Sequence, residues 1–154
     1  MTMPEPRAQH RREPETRPAG LGVRFAARII DALIVGVVLF VVLMSMGKGN
    51  DLVGTIAATA LAGFAYFVAC ETLIGATPGK MLLGIRVYGP SSDKPTMTQA
   101  AVRNLFMISS VIPYVGGVVD LALRIIIAVT VHSDVSKQGI HDRLAGGTWV
   151  RFGR

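Results

Sequence analysis

The stretch IIDALIVGVVLFVVLMSM, residues 29–46, decides the fold. Its eighteen residues contain one formal charge, that of Asp31. A helix of this length is about 27 Å long, close to the ~30 Å hydrocarbon thickness of a bilayer. The many β-branched residues would also suit a strand, but polar and apolar residues do not alternate, and a segment in lipid must satisfy its own backbone hydrogen bonds. The stretch therefore predicts a transmembrane helix over about residues 23–46.

Two further hydrophobic segments follow. Residues 52–74 have the length of one crossing, after a polar turn, GKGND, at 47–51. Residues 105–131 are interrupted by Pro113 and the pair Gly116-Gly117, so either one kinked span or a helical hairpin fits. The predicted fold class is an all-α membrane protein: two transmembrane helices plus a third hydrophobic segment broken at Pro113/Gly116-Gly117, with a surface loop segment between.

The composition excludes several classes of protein. Of 154 residues, 51% are hydrophobic and only 17% are charged, whereas soluble domains have about 25% charged residues. The length excludes a large multidomain enzyme, and the single cysteine, Cys70, excludes a disulfide-stapled scaffold. We therefore expect an integral membrane protein.

The segments outside the apolar stretches divide the chain further. Residues 1–20 are polar and proline-rich and predict a disordered N-terminal tail, residues 21–150 predict the transmembrane domain, and residues 151–154 predict a C-terminal tail. Within the loop segment 75–104, residues 85–88 predict a short strand, and residues 98–103 predict the start of a helix capped by Thr96 or Thr98.

The net charge of +6 is a topology signal. Basic residues concentrate in the tail, in the loop segment and in the C-terminal segment, whereas the 47–51 turn is nearly neutral. The positive-inside rule places all three basic regions in the cytoplasm if the third hydrophobic segment folds back, which favours the hairpin and cytoplasmic N and C termini. The tail lacks interleaved aromatics and contains three glutamates, so we expect no nucleic-acid binding.

Placing an ionisable side chain within lipid costs about 2.5–3.5 kcal/mol of free energy. Each such residue therefore requires a structural or functional explanation. Arg24, Arg28 and Asp31 lie at the start of the first helix. In one interpretation both arginines snorkel to the head groups and Arg28 neutralises Asp31. In the other, Asp31 faces a polar cavity and binds a cation or a proton.

Two acidic positions elsewhere have candidate basic partners. Asp120 and Arg124 are spaced for a helical ion pair. Glu71, near the end of the second apolar segment, has Lys80 and Arg86 within plausible reach.

The pair His141-Asp142 has no serine or cysteine nucleophile placed with it, and we expect a surface segment there rather than a catalytic site. No metal-ligand pattern and no nucleotide loop is complete. We therefore expect no enzymatic activity, no metal and no cofactor.

Four sequence pieces resemble the RDD family of bacterial membrane proteins. They are RFAARIID (24–31), TPGKMLLGIRV (77–87), AVRN (101–104) and QGIHDRLAGGTWV (138–150). The family is named for one arginine and two aspartates, and the resemblance implies Arg24 and Asp31 for the first two. Asp142 best fits the second aspartate, and Asp120 is the other candidate. The same pieces contain the further motif positions Gly79, Lys80, Gly84, Arg103 and His141.

The resemblance implies a transport-related role, with monovalent cation/proton exchange as one possibility. Our first hypothesis is a small multi-pass protein of the bacterial inner membrane, a homo-oligomer or part of a larger membrane complex. Its functional charges would be Arg24, Arg28, Asp31, Asp120, Arg124 and Asp142. The alternative is a non-catalytic accessory or scaffold subunit of a larger assembly, such as a lipid-import system.

Overall fold

The computed structural model describes residues 17–47, 51–90 and 94–153. The chain is mostly helical. Its elements are α1 (Leu21–Ser45), α2 (Leu52–Ile74), α3 (Pro78–Leu82), β1 (Ile85–Tyr88), α4 (Met97–Asn104), a 3-10 helix (Leu105–Val111), α5 (Gly116–Ser133), α6 (Ile140–Leu144) and β2 (Trp149–Phe152). The predicted tail up to residue 16, residues 48–50 of the predicted 47–51 turn, residues 91–93 of the loop segment and residue 154 lie outside the described residues.

Three helices, α1, α2 and α5, are long and apolar enough to cross a membrane. Their large apolar side chains point outward: Val37 and Phe40 of α1 are each 62% exposed. In water this surface would be unfavourable, but against lipid tails it costs nothing. The predicted all-α membrane fold is confirmed, and the small sheet is a minor addition.

The third hydrophobic segment folds back on itself. The 3-10 helix ends at Val111, α5 begins at Gly116, and Pro113 lies in the turn between them. The two arms are close, because a Cβ added at Gly116 would lie 2.4 Å from the Ser109 carbonyl oxygen.

Both ends of the segment return to α6. The Phe106 ring centroid lies 6.4 Å from that of His141, and Val131 Cγ2 lies 2.7 Å from the position of a Cβ at Gly139. The predicted break is confirmed, and the hairpin rather than the kinked span is the form adopted.

The elements between and after the spans gather at one end of the helices. We call this the polar end: α3, α4, α6 and the sheet, together with the start of α1 and the end of α2. The predicted strand 85–88 is confirmed as β1, and it pairs antiparallel with β2 from Ile85↔Phe152 to Tyr88↔Trp149. Thr96 caps α4, with Gln99 completing a capping box.

The packed domain extends beyond its predicted limits at both ends. Pro18 forms an isolated bridge with Arg151, and Ala19 N donates to Val150 O at 2.9 Å. Ala19 is fully buried with Ala27, Ile85, Val87 and Val150 in one hydrophobic cluster. Arg151 and Phe152, predicted as tail, belong to β2 because their backbone pairs with β1. The described N- and C-terminal segments are therefore neighbours at the polar end.

Candidate functional site

Asp142 lies at the centre of a buried charge cluster at the polar end. It is 0% exposed. Its Oδ2 accepts from Arg24 Nη1 at 2.9 Å and from the Gly139 N–H at 3.1 Å, while its Oδ1 lies 2.7 Å from Arg103 Nη1. Arg24 belongs to α1, Arg103 to α4 and Asp142 itself to α6, so one carboxylate joins three helices. The expectation of a surface segment at His141-Asp142 is wrong, because α6 docks with Asp142 facing inward.

Arg24 also points into the protein. Besides Asp142, its guanidinium donates to the carbonyl oxygens of Ala19 at 3.0 Å and Lys137 at 2.5 Å. The expectation that Arg24 snorkels to the head groups is therefore wrong. The polar end offers it a buried carboxylate and backbone acceptors that replace its hydration.

Glu71, near the end of α2, forms a second node. This fully buried carboxylate binds the Lys80 ammonium, and Asn104 Nδ2 donates to its Oε2 at 3.2 Å. Arg103 Nε lies 3.5 Å from the same oxygen, so Arg103 bridges Glu71 and Asp142. Lys80 is a predicted partner of Glu71 and is confirmed, whereas Arg86 lies exposed on β1.

Asp31 forms a third node, with neutral donors only. It accepts hydrogen bonds from Thr77 Oγ1 at 2.5 Å, Gly79 N at 2.8 Å and Tyr66 Oη at 2.9 Å. Among the described residues it forms no ion pair, so the expected neutralisation by Arg28 is wrong. The N-terminal turn of α3 docks on Asp31 instead, and the TPGK motif serves this docking.

Arg28 is held by neutral groups as well. Its Nη2 donates to Asn104 Oδ1 at 2.9 Å, and its guanidinium carbon lies 3.7 Å from the centroid of the Phe67 ring. The Phe106 ring lies 5.5 Å away. Cation–π contact, one amide and the longer-range attraction of Glu71 and Asp31 stabilise the charge, but Arg28 forms no ion pair with a described carboxylate.

The remaining predicted positions have separate roles. Asp120 and Arg124 form the predicted i,i+4 ion pair at 2.6 Å on α5, with the Arg124 side chain 42% exposed. Gly84 follows α3 with φ of +67°, a conformation that favours glycine. Within the described part of the chain, no group of three or more His, Cys, Asp or Glu is placed to hold a metal.

The charges at the polar end perturb one another. Burial on its own raises the pKa of Asp142, but Arg103, His141 and Arg24 outweigh burial and hold it at about 2. Burial lowers the pKa of Lys80 to about 8, although Glu71 opposes the shift. Burial also lowers the pKa of His141 to about 3, against the attraction of Asp142. His141 is therefore neutral at pH 7.

The His141 pKa makes stability depend on pH. Because the folded-state pKa lies below the unfolded value of about 6.5, the unfolded chain binds a proton that the folded chain refuses as pH falls. We expect the free energy of unfolding to fall by about 2 kcal/mol between pH 7 and pH 5. Equilibrium unfolding in mixed micelles measures this slope. His141→Gln should flatten it and His132→Gln, at an exposed position, should leave it; an unchanged slope in His141→Gln would contradict the assignment.

Two cavities adjoin the cluster and share Arg28 and Arg124. The inner cavity, of about 340 Å³, lies among α1, α2 and the 3-10 helix. The lateral cavity, of about 360 Å³, lies between α1 and α5 above the polar end. All ionisable side chains that line either cavity are basic or histidine: Arg24, Arg28, Lys80, Arg103, Arg124 and His141.

The family model for the RDD family matches residues 18–146, which is most of the chain. The chain belongs to the RDD family. With its three apolar helices, it is a membrane protein. No curated protein and no solved structure gives a significant match.

In this RDD protein the described ion pairs of Arg24 involve Asp142 and neither Asp31 nor Asp120. The sequence reasoning missed the bridging role of Arg103 and the link that Asn104 makes between Glu71 and Arg28. Arg103 and Asn104 both belong to the AVRN motif, but the motif does not indicate which residues they bind.

Proposed function

We propose that this RDD protein has a transport-related role in the membrane and that the species it accepts is an anion. One observation carries the proposal: the ionisable side chains lining the two cavities include no carboxylate. Charges interact more strongly in a low-dielectric site than in water, so a cation entering either cavity would be repelled by Arg28 and an anion would be attracted, while Asp120 offsets the charge of Arg124.

Cation/proton exchange is the second candidate, and Asp31 favours it. This carboxylate is fully buried within α1 and has neutral donors only. A carboxylate without a basic partner is suited to alternate between a proton and a cation. Against this candidate, Asp31 lines neither of the two cavities.

Flux through proteoliposomes separates the two candidates. We expect the purified protein to carry labelled anions, tested with glycerol phosphate and a short-chain phosphatidylglycerol. Arg28→Gln should lower that flux at least tenfold, because it removes the cavity-lining arginine that forms no ion pair with a described carboxylate. Arg143→Gln, on an exposed ion pair with Asp134, is the matched control.

A pH-sensitive dye in the same vesicles reports potassium-driven proton flux. Proton flux that is lost in Asp31→Asn, without anion flux, would favour the second candidate. If purified protein carries neither species but a larger membrane protein co-purifies with it in mild detergent, the accessory-subunit role replaces transport by this chain alone.

We also propose the bacterial inner membrane as the location, with both termini in the cytoplasm. The adjacency of Pro18 and Arg151 supports one shared side for the termini, and the basic loop segments support the cytoplasmic side. Two spans and a fold-back hairpin enclose little space, which supports a homo-oligomer or a larger complex. Labelling of a cysteine at Arg154 from each side of the membrane, in a Cys70→Ala background, tests the orientation.

A further inference from the structure

We propose that the lateral cavity binds an anionic amphiphile, an acidic headgroup on an acyl chain, that enters from the bilayer between α1 and α5. The inference rests on the proposed function, since it names the class of anion. It concerns binding, however, which is measured without transport.

The cavity lies between two helices that make few direct contacts with each other. Each helix turns one face toward it, with residues spaced i, i+3, i+4 and i+7. These faces combine apolar side chains with two arginines on α1 and one on α5. They are Leu21, Arg24, Phe25 and Arg28 on α1, and Leu121, Arg124, Ile125 and Ala128 on α5.

The part of the lateral cavity next to the buried charge cluster is basic. Lys80 and Arg103 are buried there beside Arg24 and Arg28. The acids that compensate three of these charges, Glu71 and Asp142, are not among the lining residues. Arg28 forms no ion pair with a described carboxylate; Glu71 and Asp31 attract it only at longer range, so part of its charge is left for a ligand. A phosphate or carboxylate would supply the missing negative charge and accept hydrogen bonds from guanidinium groups.

The outer part of the cavity is apolar and accessible. Phe25 is 65% exposed, Leu121 59% and Ile125 54%, on the surface that faces lipid. A volume of about 360 Å³ lies within the ~300–1,000 Å³ range of ligand pockets. An acyl chain leaving between Phe25 and Ile125 would remain in the bilayer, whereas a free inorganic anion would leave the apolar wall without a partner. The charge distribution therefore favours an amphiphile over a small ion.

Native mass spectrometry of the full chain in a nonionic detergent tests the proposal with four probes. We expect dimyristoyl phosphatidylglycerol to bind at least tenfold more tightly than phosphatidylcholine with the same chains, and myristate to bind measurably. Glycerol phosphate, the headgroup without chains, should bind at least tenfold more weakly than the lipid. Equal binding of the two phospholipids indicates ordinary annular lipid, and glycerol phosphate binding as tightly as the lipid indicates a site for free anions; either result overturns the proposal.

Variants assign the binding to this cavity. Ile125→Trp should fill the opening and lower phosphatidylglycerol affinity about tenfold. Ile126→Trp is the matched control, because Ile126 is comparably exposed on the same helix but lines neither cavity. Arg28→Gln should reduce the preference for phosphatidylglycerol over phosphatidylcholine.

Equal lipid affinity in the two tryptophan variants would place the lipid elsewhere and overturn the assignment. Selective lipid binding without any anion flux would instead overturn only the transport proposal.

Discussion

Replacing Asp142 by Asn should lower the free energy of unfolding by about 3–5 kcal/mol. The carboxylate is fully buried and accepts from two guanidinium groups, at 2.9 Å from Arg24 and 2.7 Å from Arg103. An amide of the same shape leaves Arg24 buried with no other ion-pair partner in the described structure. Removal of one partner of a buried pair is costly because the other charge remains desolvated. Denaturant titration in mixed micelles measures the loss.

Asp134→Asn is the matched control for Asp142→Asn. Asp134 also binds an arginine, with its Oδ1 2.5 Å from Arg143 Nη2, but the Arg143 side chain is 60% exposed. Water replaces a lost partner at such a position, so the change in stability should be small. Comparable losses for the two variants would contradict the burial argument.

A double variant separates the charge effect from damage to packing. Arg24→Gln combined with Asp142→Asn removes both charges of the pair, and Arg103 keeps its contact with Glu71. The double variant should therefore lose less stability than the sum of the two single losses. A strictly additive result would show that Arg24 and Asp142 act independently.

The spans were predictable because lipid imposes a simple rule on sequence. Residues 29–46 and 52–74 are long, apolar and nearly uncharged, and apart from Met46, the residue after α1, they lie within α1 and α2. The break at Pro113 followed from the missing N–H and the fixed φ of proline. The short strand β1 was predictable from its flanking turns, but its partner β2 lies more than sixty residues further along the chain. Strands so far apart in the sequence leave no local sequence pattern that predicts their pairing.

The charged residues were recognised, but the assignment of their partners failed where it relied on spacing along one helix. Arg28 and Asp31 are neighbours in α1, yet Arg28 donates a hydrogen bond to Asn104 and Asp31 accepts one from the Gly79 N–H. Spacing on a helix shows which side chains of that helix are close enough to interact. It does not show which residues of other elements compete to bind the same side chain. The i,i+4 pair Asp120–Arg124 was predicted correctly, and Asp120 has no ion-pair partner besides Arg124 among the described residues.

The polar residues of this RDD protein divide into two groups with different roles. Asp31, Glu71 and Asp142 are saturated by donors from other elements and tie α3, α4 and α6 to the spans. Arg28 and Arg124 face the cavities. Replacing a residue of the first group should therefore affect folding, whereas neutralising Arg28 should affect ligand binding.

Gly79→Ala should lower the free energy of unfolding by about 2–4 kcal/mol, the second large effect that we expect. A Cβ at this position would lie 2.4 Å from the Ala27 carbonyl oxygen and 2.9 Å from the Asp31 carboxylate. The obstacle is helix backbone, so α3 has to move away from α1. That movement also breaks the hydrogen bond from the Gly79 N–H to Asp31. Hydrogen exchange of residues 77–84 should rise together with the loss of stability.

Two other glycines separate steric conflict from the general effect of a methyl group. Gly36 lies on α1 with open space around its Cβ position, so Gly36→Ala should be neutral or slightly stabilising. Gly84 also has open space but a φ of +67°, so Gly84→Ala should cost about 1 kcal/mol through backbone strain and leave the Asp31 contact intact. Faster exchange in α3 confined to Gly79→Ala would identify the contact between Gly79 and Asp31 as what holds α3 on α1. Equal exchange in Gly79→Ala and Gly84→Ala would show instead that the conformation of the 77–84 segment holds α3 in place, without a specific role for Asp31.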